Sequence, residues 1–406
     1  MKKKSIVELE SRYDAFVKEG LKLDLTRGKP SSAQLDLSNE LDGILNGFYI
    51  LQDGTDVRNY GGILGIPEAR HLGAELIGTQ SERVMAAGNS SLTLMYQYIE
   101  HNLTEWHELG HNDLKFLCPV PGYDRHFTIC EHFDIEMVPV DMTENGPDMD
   151  QVESLIKTDP RIAGIWCVPK YSNPSGCTYS KETVSRFAEL PKLAGPKFVI
   201  MWDNAYAVHH LGEQQDELED LLAMADKVGT TDQVAIFAST SKITIAGAGL
   251  AFMATTPDRL SRFERYLANQ MIGFDKVNQL RHVQFLKNAI GIKEHMEKHR
   301  ALIKPKFEIV LDKLEPLKGQ GIATWTEPNG GYFISLDTEP GLANKVVTLA
   351  GNAGVKLTPA GATFPYGKDP LNRNIRIAPT YPSIKELNKA MDVLVTCLEL
   401  ATLSSG

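Results

Sequence analysis

Between about residue 46 and residue 290, short apolar runs alternate with stretches of helical spacing, and the strongest runs each lead to chemically useful residues. Phe198-Val199-Ile200-Met201-Trp202 ends in Asp203. Val234-Ala235-Ile236-Phe237-Ala238 runs into Ser239-Thr240-Ser241-Lys242, and Gly164-Ile165-Trp166-Cys167-Val168-Pro169 leads to Tyr171-Ser172-Asn173-Pro174-Ser175-Gly176. Runs that are apolar throughout, rather than alternating, suit strands covered on both faces. Their alternation with helical stretches predicts an α/β chain built on a mostly parallel sheet. Such sheets keep their ligand sites beyond the carboxyl ends of the strands, where these polar residues fall.

A lysine at the mouth of a buried strand is costly unless its amine is used, because burial disfavours the ammonium form. One use is a Schiff base with an aldehyde, and the hydroxyls beside Lys242 suit a phosphate. Pyridoxal 5′-phosphate combines both groups. It also calls for a carboxylate such as Asp203, which keeps the pyridine nitrogen protonated so that the ring accepts electrons. Each piece has a plainer reading: a surface turn at Ser241-Lys242, a helix N-cap at Asp203, an Asn-Pro turn at Asn173. Their occurrence together, in this order and at the ends of apolar runs, favours the chemical one.

With these residues the chain resembles the fold-type I pyridoxal-phosphate enzymes, and within them the aminotransferases of the class I/II superfamily. The resemblance runs from about Leu23 to about Pro382. Leu25-Thr26-Arg27-Gly28-Lys29-Pro30 and Ser241-Lys242-Ile243-Thr244-Ile245-Ala246-Gly247-Ala248-Gly249 are similar to a bacterial aspartate aminotransferase subgroup. It implies a large cofactor-binding domain over 46–290, with a mostly parallel seven-stranded sheet. A smaller α+β domain would be made by 1–45 together with 291–406.

The resemblance also implies site residues. Lys242 matches the Schiff-base lysine, and Asp203 the partner of the pyridine nitrogen. Asn173 and Tyr206 match the pair on the cofactor's phenolic oxygen, and Tyr123 the aromatic ring stacked over it. Asn89, Ser90 and Ser91, after the run Arg83-Val84-Met85-Ala86-Ala87, match the loop that offers backbone N–H groups to the phosphate at a helix N-terminus. Ser239 and Ser241 add hydroxyls. Tyr60 matches a tyrosine that reaches the phosphate of a partner subunit, which implies a homodimer with shared sites. Arg376 matches the arginine that grips the substrate α-carboxylate, a planar group suited to a guanidinium fork, and Gly28 lies where backbone passes the substrate. In one respect the chain departs from the family, which carries a phosphate-neutralising arginine about eight residues after the lysine. Here that region reads Ala248-Gly249-Leu250-Ala251.

The implied activity is transfer of an amino group between an amino acid, aspartate or glutamate, and a 2-oxo acid by a ping-pong mechanism. A dicarboxylic substrate needs a second cation, for which Arg27, Lys29, Arg125 and His126 are candidates. A lyase on the same fold, or an aminotransferase for an aromatic amino acid or 2-aminoadipate, would show the same lysine, aspartate and arginine. A non-catalytic sensor half of a transcription regulator is disfavoured, since about twenty residues precede Leu23.

The chain has 406 residues, more than one simple core accommodates, so two domains are expected. A net charge of -10 disfavours nucleic-acid binding. The five scattered cysteines form no C-x-x-C pair and are expected to be reduced, and no metal site is expected. Met1-Lys2-Lys3-Lys4 precedes no apolar segment of the signal-peptide kind, and no run is long enough to span a membrane, so a cytoplasmic enzyme is expected. Helices are predicted over 5–20, through 256–312 and over about 383–402. Strands of a smaller sheet are predicted at 321–325, 331–336 and 375–378.

Overall fold

The computed structural model describes residues 5–404; the basic start Met1–Lys4 lies outside the described residues. The large sheet is assembled in the order Val84–Ala86, Ala251–Ala254, Val234–Ser239, Val199–Asp203, Ile162–Cys167, Lys115–Val120, Glu136–Thr143, Gly146–Pro147. The strands from Val234–Ser239 across to Glu136–Thr143 run parallel, whereas Ala251–Ala254 is antiparallel to both neighbours. Seven of these are the expected sheet. The eighth, Gly146–Pro147, is a short return that pairs with the end of Glu136–Thr143.

The central strands are buried along their whole length, which accounts for their unbroken apolar runs. Successive side chains leave a strand on opposite faces. Ile200, Trp202, Ile236 and Ala238 therefore enter one hydrophobic cluster, while Val199, Met201, Ala235 and Phe237 enter another. Burying large side chains such as Trp202 and Phe237 is worth roughly 1.5–3 kcal/mol each. Helices such as Ser91–Glu108 on one face and Lys181–Ala194 on the other close the two clusters.

A third cluster surrounds an antiparallel sheet of Ala323–Trp325, Ile334–Thr338 and Asn374–Ile377. The helix Ile384–Leu403 covers it, and the N-terminal helix Ile6–Glu19 contributes Phe16. Leu23–Asp24 pairs in parallel with Val355–Lys356, so the start of the chain joins its C-terminal part. The 26-residue helix Ala289–Leu314 begins with Ile292 and Met296 in the large-sheet cluster and ends with Phe307, Val310 and Leu314 in the third.

The strand expected at 331–336 starts only at Ile334. Gly331 adopts a φ of 83°, in the left-handed region, and a Cβ there would lie 2.9 Å from the Tyr171 Cβ. The chain therefore turns at Gly331, and Tyr332 and Phe333 become loop residues that face the site.

Candidate active site

At the carboxyl edge of the central strands lies a cavity of about 200 Å³ lined by Ser90, Ser91, Tyr123, Asn173, Asp203, Tyr206, Ser239, Ser241 and Lys242, among others. The fold thus brings together most of the residues singled out from the sequence. A far larger groove, about 1470 Å³, separates the Glu136–Thr143 edge from the loops around 325–329 and 364–374. It includes neither Lys242 nor Asp203, so chemistry rather than volume marks the site.

Asp203 is the last residue of Val199–Asp203 and caps no helix, because a turn follows it. Its Oδ2 lies 3.1 Å from His126 Nε2, while its buried Oδ1 has no partner. An unpaired buried carboxylate oxygen is costly, so this atom is arranged for a donor that enters the cavity. The His126 ring stacks on Trp166 at 4.3 Å and 10°, which fixes its orientation. His126 was a candidate for a substrate side-chain carboxylate, but its contact with Asp203 gives it a different job. Its position three residues after Tyr123 carried no signal of this in the sequence.

Lys242 sits in the turn after the strand Val234–Ser239, and its Nζ lies 5.0 Å from the Tyr206 ring and 5.9 Å from the Tyr332 ring. Desolvation depresses the ammonium pKa, and the negative charge of Asp203 opposes that shift only in part. Burial likewise raises the phenol of Tyr206 well above its ordinary value, so it stays a neutral donor.

The backbone on either side of the lysine side chain is held by groups that sequence reasoning missed. The Lys242 carbonyl accepts from the Tyr332 hydroxyl at 3.4 Å and from His209 Nε2 at 3.3 Å. The Ile243 carbonyl accepts from His295 Nε2 at 2.7 Å and His299 Nε2 at 2.8 Å. Gln34 donates to both His299 Nδ1 and the Tyr332 hydroxyl. Burial lowers the pKa of His209 and His295, and that of His299 to about 4. Neutral rings are what this arrangement needs, since the His299 Nδ1 must accept. The i, i+4 spacing of His295 and His299 on a helical stretch was the available clue.

Ser90 caps the helix Ser91–Glu108, accepting from the Thr93 N–H at 3.3 Å. The hydroxyls of Ser90, Ser91, Ser239 and Ser241 and the positive end of that helix gather on one side of the cavity. Among the described residues that line it, Lys242 is the one cation. Leu250, near where the family carries its arginine, is buried and donates its N–H to Thr240 Oγ1. Asn89 does not line the cavity. Its amide donates to the Gly247 carbonyl at 2.9 Å, and its own carbonyl accepts from Ser241 Oγ, which ties the two loops together.

Arg376, in Asn374–Ile377, is buried, and its Nη1 donates to Asp124 Oδ1 at 3.0 Å and Asn173 Oδ1 at 3.2 Å. The Phe333 ring lies 4.8 Å from its guanidinium carbon. Gly28 packs on the same ring, and a Cβ on it would lie 2.6 Å from Phe333 Cζ. Arg27 and Lys29 are exposed, the latter with its Nζ over Tyr381.

Tyr60 stands apart from the cavity and is 84% exposed. Its loop is nonetheless fixed, because the buried Lys276 donates to the Asn59 and Gly61 carbonyls at 2.7 Å each.

This sheet, with its lysine and aspartate at adjacent strand ends, is that of a fold-type I aminotransferase. A solved aspartate transaminase from Corynebacterium glutamicum superimposes with a TM-score of 0.94 at 42% identity, over 98% of this chain and 96% of that one. The α-aminoadipate aminotransferase LysN of Thermus thermophilus, solved with N-(5′-phosphopyridoxyl)-L-leucine, shares the fold at 21% identity, with a TM-score of 0.77 and 98% of each chain covered. The sequence profile described as aspartate amino-transferase matches residues 2–405, and the chain belongs to that family. An aspartate aminotransferase of Corynebacterium glutamicum is 44% identical over 97% of this chain and 93% of its own length. The protein is therefore an aminotransferase, and among its described residues no helix is long and apolar enough to cross a membrane.

Proposed function

We propose that the protein moves an amino group between aspartate or glutamate and a 2-oxo acid, with pyridoxal 5′-phosphate held in the cavity around Lys242. The observation that carries this reading is the buried, unpartnered Oδ1 of Asp203 in the same cavity as a lysine whose pKa is lowered. When bound, the cofactor supplies an aldehyde for the amine and a ring that accepts electrons from the substrate α-carbon.

The chain's own residues do the rest. Asp203 Oδ1 would accept a hydrogen bond from the pyridine nitrogen and keep it charged, while His126 holds the other oxygen. Asn173 and Tyr206 would hold the phenolic oxygen and Tyr123 would cover the ring. Ser90, Ser91, Ser239 and Ser241 would hold the phosphate, assisted by the helix end. Lys242 would hold the cofactor's aldehyde, and its lowered pKa suits its free amine to act as a general base. It would take and return the proton at the substrate α-carbon. Arg376 binds the α-carboxylate, with Gly28 leaving room beside Phe333, and so orients the α-hydrogen.

The preference for a dicarboxylic pair is supported by the 44% identical aspartate aminotransferase. The exposed tyrosine on a pinned loop supports a homodimer in which Tyr60 reaches the partner's phosphate and offsets the scarcity of lining cations, Lys242 being the one among the described residues. The separate clusters of the two sheets support a division into 46–290 and 1–45 with 291–406.

A stopped-flow panel of amino donors tests the reading. Aspartate and glutamate alone should convert the cofactor's visible band to that of its amine form, with no ammonia released. Ammonia release without conversion would mark a lyase, and conversion fastest with aromatic donors would overturn the substrate pair.

A further inference from the structure

We propose that Asp124 is a specificity-determining residue: a resident counter-ion that pairs with Arg376 and sets how strongly a carboxylate must bind to take its place. This rests on the reading of Arg376 as the α-carboxylate site. Asp124 opens the helix Asp124–His132, and that first turn serves three parts of the site. Tyr123 lines the cavity, Asp124 Oδ1 lies 3.0 Å from Arg376 Nη1, and His126 meets Asp203.

The guanidinium is well placed for a ligand. Its side chain is 5% exposed, its Nε is buried without a partner, and Phe333 covers one face. A buried cation without an anion is costly, and Asp124 supplies one. The carboxylate of Asp124 is itself 32% exposed, so it remains on the open side of the pair. An incoming α-carboxylate therefore either displaces Asp124 from Nη1 or sits beside it as a like charge. In both cases Asp124 weakens carboxylate binding, because adjacent like charges in a desolvated site repel. A small carboxylate with nothing else to offer loses this contest. An amino acid or 2-oxo acid wins it through the contacts of its remaining groups. Asn173 Oδ1, at 3.2 Å, and Phe333 keep the guanidinium oriented when Asp124 is gone.

The test uses holoenzyme carrying Asp124→Asn, with Asp124→Ala as a second variant and Arg376→Gln as a control. Competitive inhibition by propionate and by succinate is measured, together with KM and kcat for the best donor. Asp124→Asn should bind propionate about tenfold more tightly and lower KM for the donor, with a smaller change in kcat. A merely structural role would weaken binding or lower the melting temperature, and would not raise affinity. Unchanged or weaker inhibition in both Asp124 variants, with Arg376→Gln losing inhibition, would overturn the role of Asp124 alone. Undiminished inhibition in Arg376→Gln would overturn the reading of Arg376 on which it stands.

Discussion

Replacing His126 with phenylalanine isolates the contribution of the hydrogen bond beneath the proposed cofactor. The side chains of His126 and Asp203 are 2% and 4% exposed, and the Nε2–Oδ2 distance is 3.1 Å. Phenylalanine keeps the ring that stacks on Trp166 but offers no N–H, so packing is largely preserved. A hydrogen bond to a charged group contributes about 1.5–3 kcal/mol. At about 1.4 kcal/mol per factor of ten, losing it predicts a roughly ten- to hundredfold fall. The loss should appear in the rate of the half-reaction with amino acid and in cofactor retention on dilution, since Asp203 would no longer be held toward the ring. Both are read from the visible band, with the melting temperature of the apoprotein as a check on folding. His126→Asn, which restores a side-chain donor, should recover part of the rate. A His126→Phe enzyme with the parent's half-reaction rate and cofactor affinity would refute the reasoning.

Tyr60→Phe should weaken cofactor retention without lowering the melting temperature, because the tyrosine is exposed in the single chain. Light scattering that shows a fully active monomer would rule out the shared site. Stability should also depend on pH through His299, whose folded-state pKa of about 4 lies below its ordinary 6.5. The unfolded chain binds the proton first, so stability is lost as pH falls from about 6.5 toward about 4 and this loss levels off below that. Urea unfolding across the window should show a shallower slope in His299→Gln, and an identical slope would remove His299 as the cause.

The central strands were legible because they are buried on both faces and so carry unbroken apolar runs, several with a candidate site residue at or beyond the end. Lys242, Asp203 and Asn173 were singled out this way, since a strand delivers its last residue, Asp203, and the turns that follow, with Lys242 and Asn173, to a fixed edge of the sheet. The supports of these residues left no comparable trace. Gln34, His209 and the His295–His299 pair come from distant parts of the chain and meet only when the helix Ala289–Leu314 and the N-terminal segment close over the loop after Lys242, while His126 reaches Asp203 from the separate helix Asp124–His132. A buried histidine reads in sequence like any other polar residue on a helix. Gly331 was the reverse case: its run looked like a strand, yet the close approach to Tyr171 required a turn there, and that turn delivers Tyr332 and Phe333 to the site. The small-sheet strand at Asn374–Ile377 was expected, but the partnership of its Arg376 with Asp124 was not, because their separation of 252 positions hides the contact.

Everything proposed for this site turns on which amine holds the cofactor. Reduction of the purified holoenzyme with sodium borohydride, followed by proteolysis and mass spectrometry, fixes the label where it is bound. The account predicts a pyridoxyl group on the peptide that contains Lys242, and a protein without label once Lys242→Ala is made. A label on the buried Lys276, on any other lysine, or retained in Lys242→Ala would contradict it.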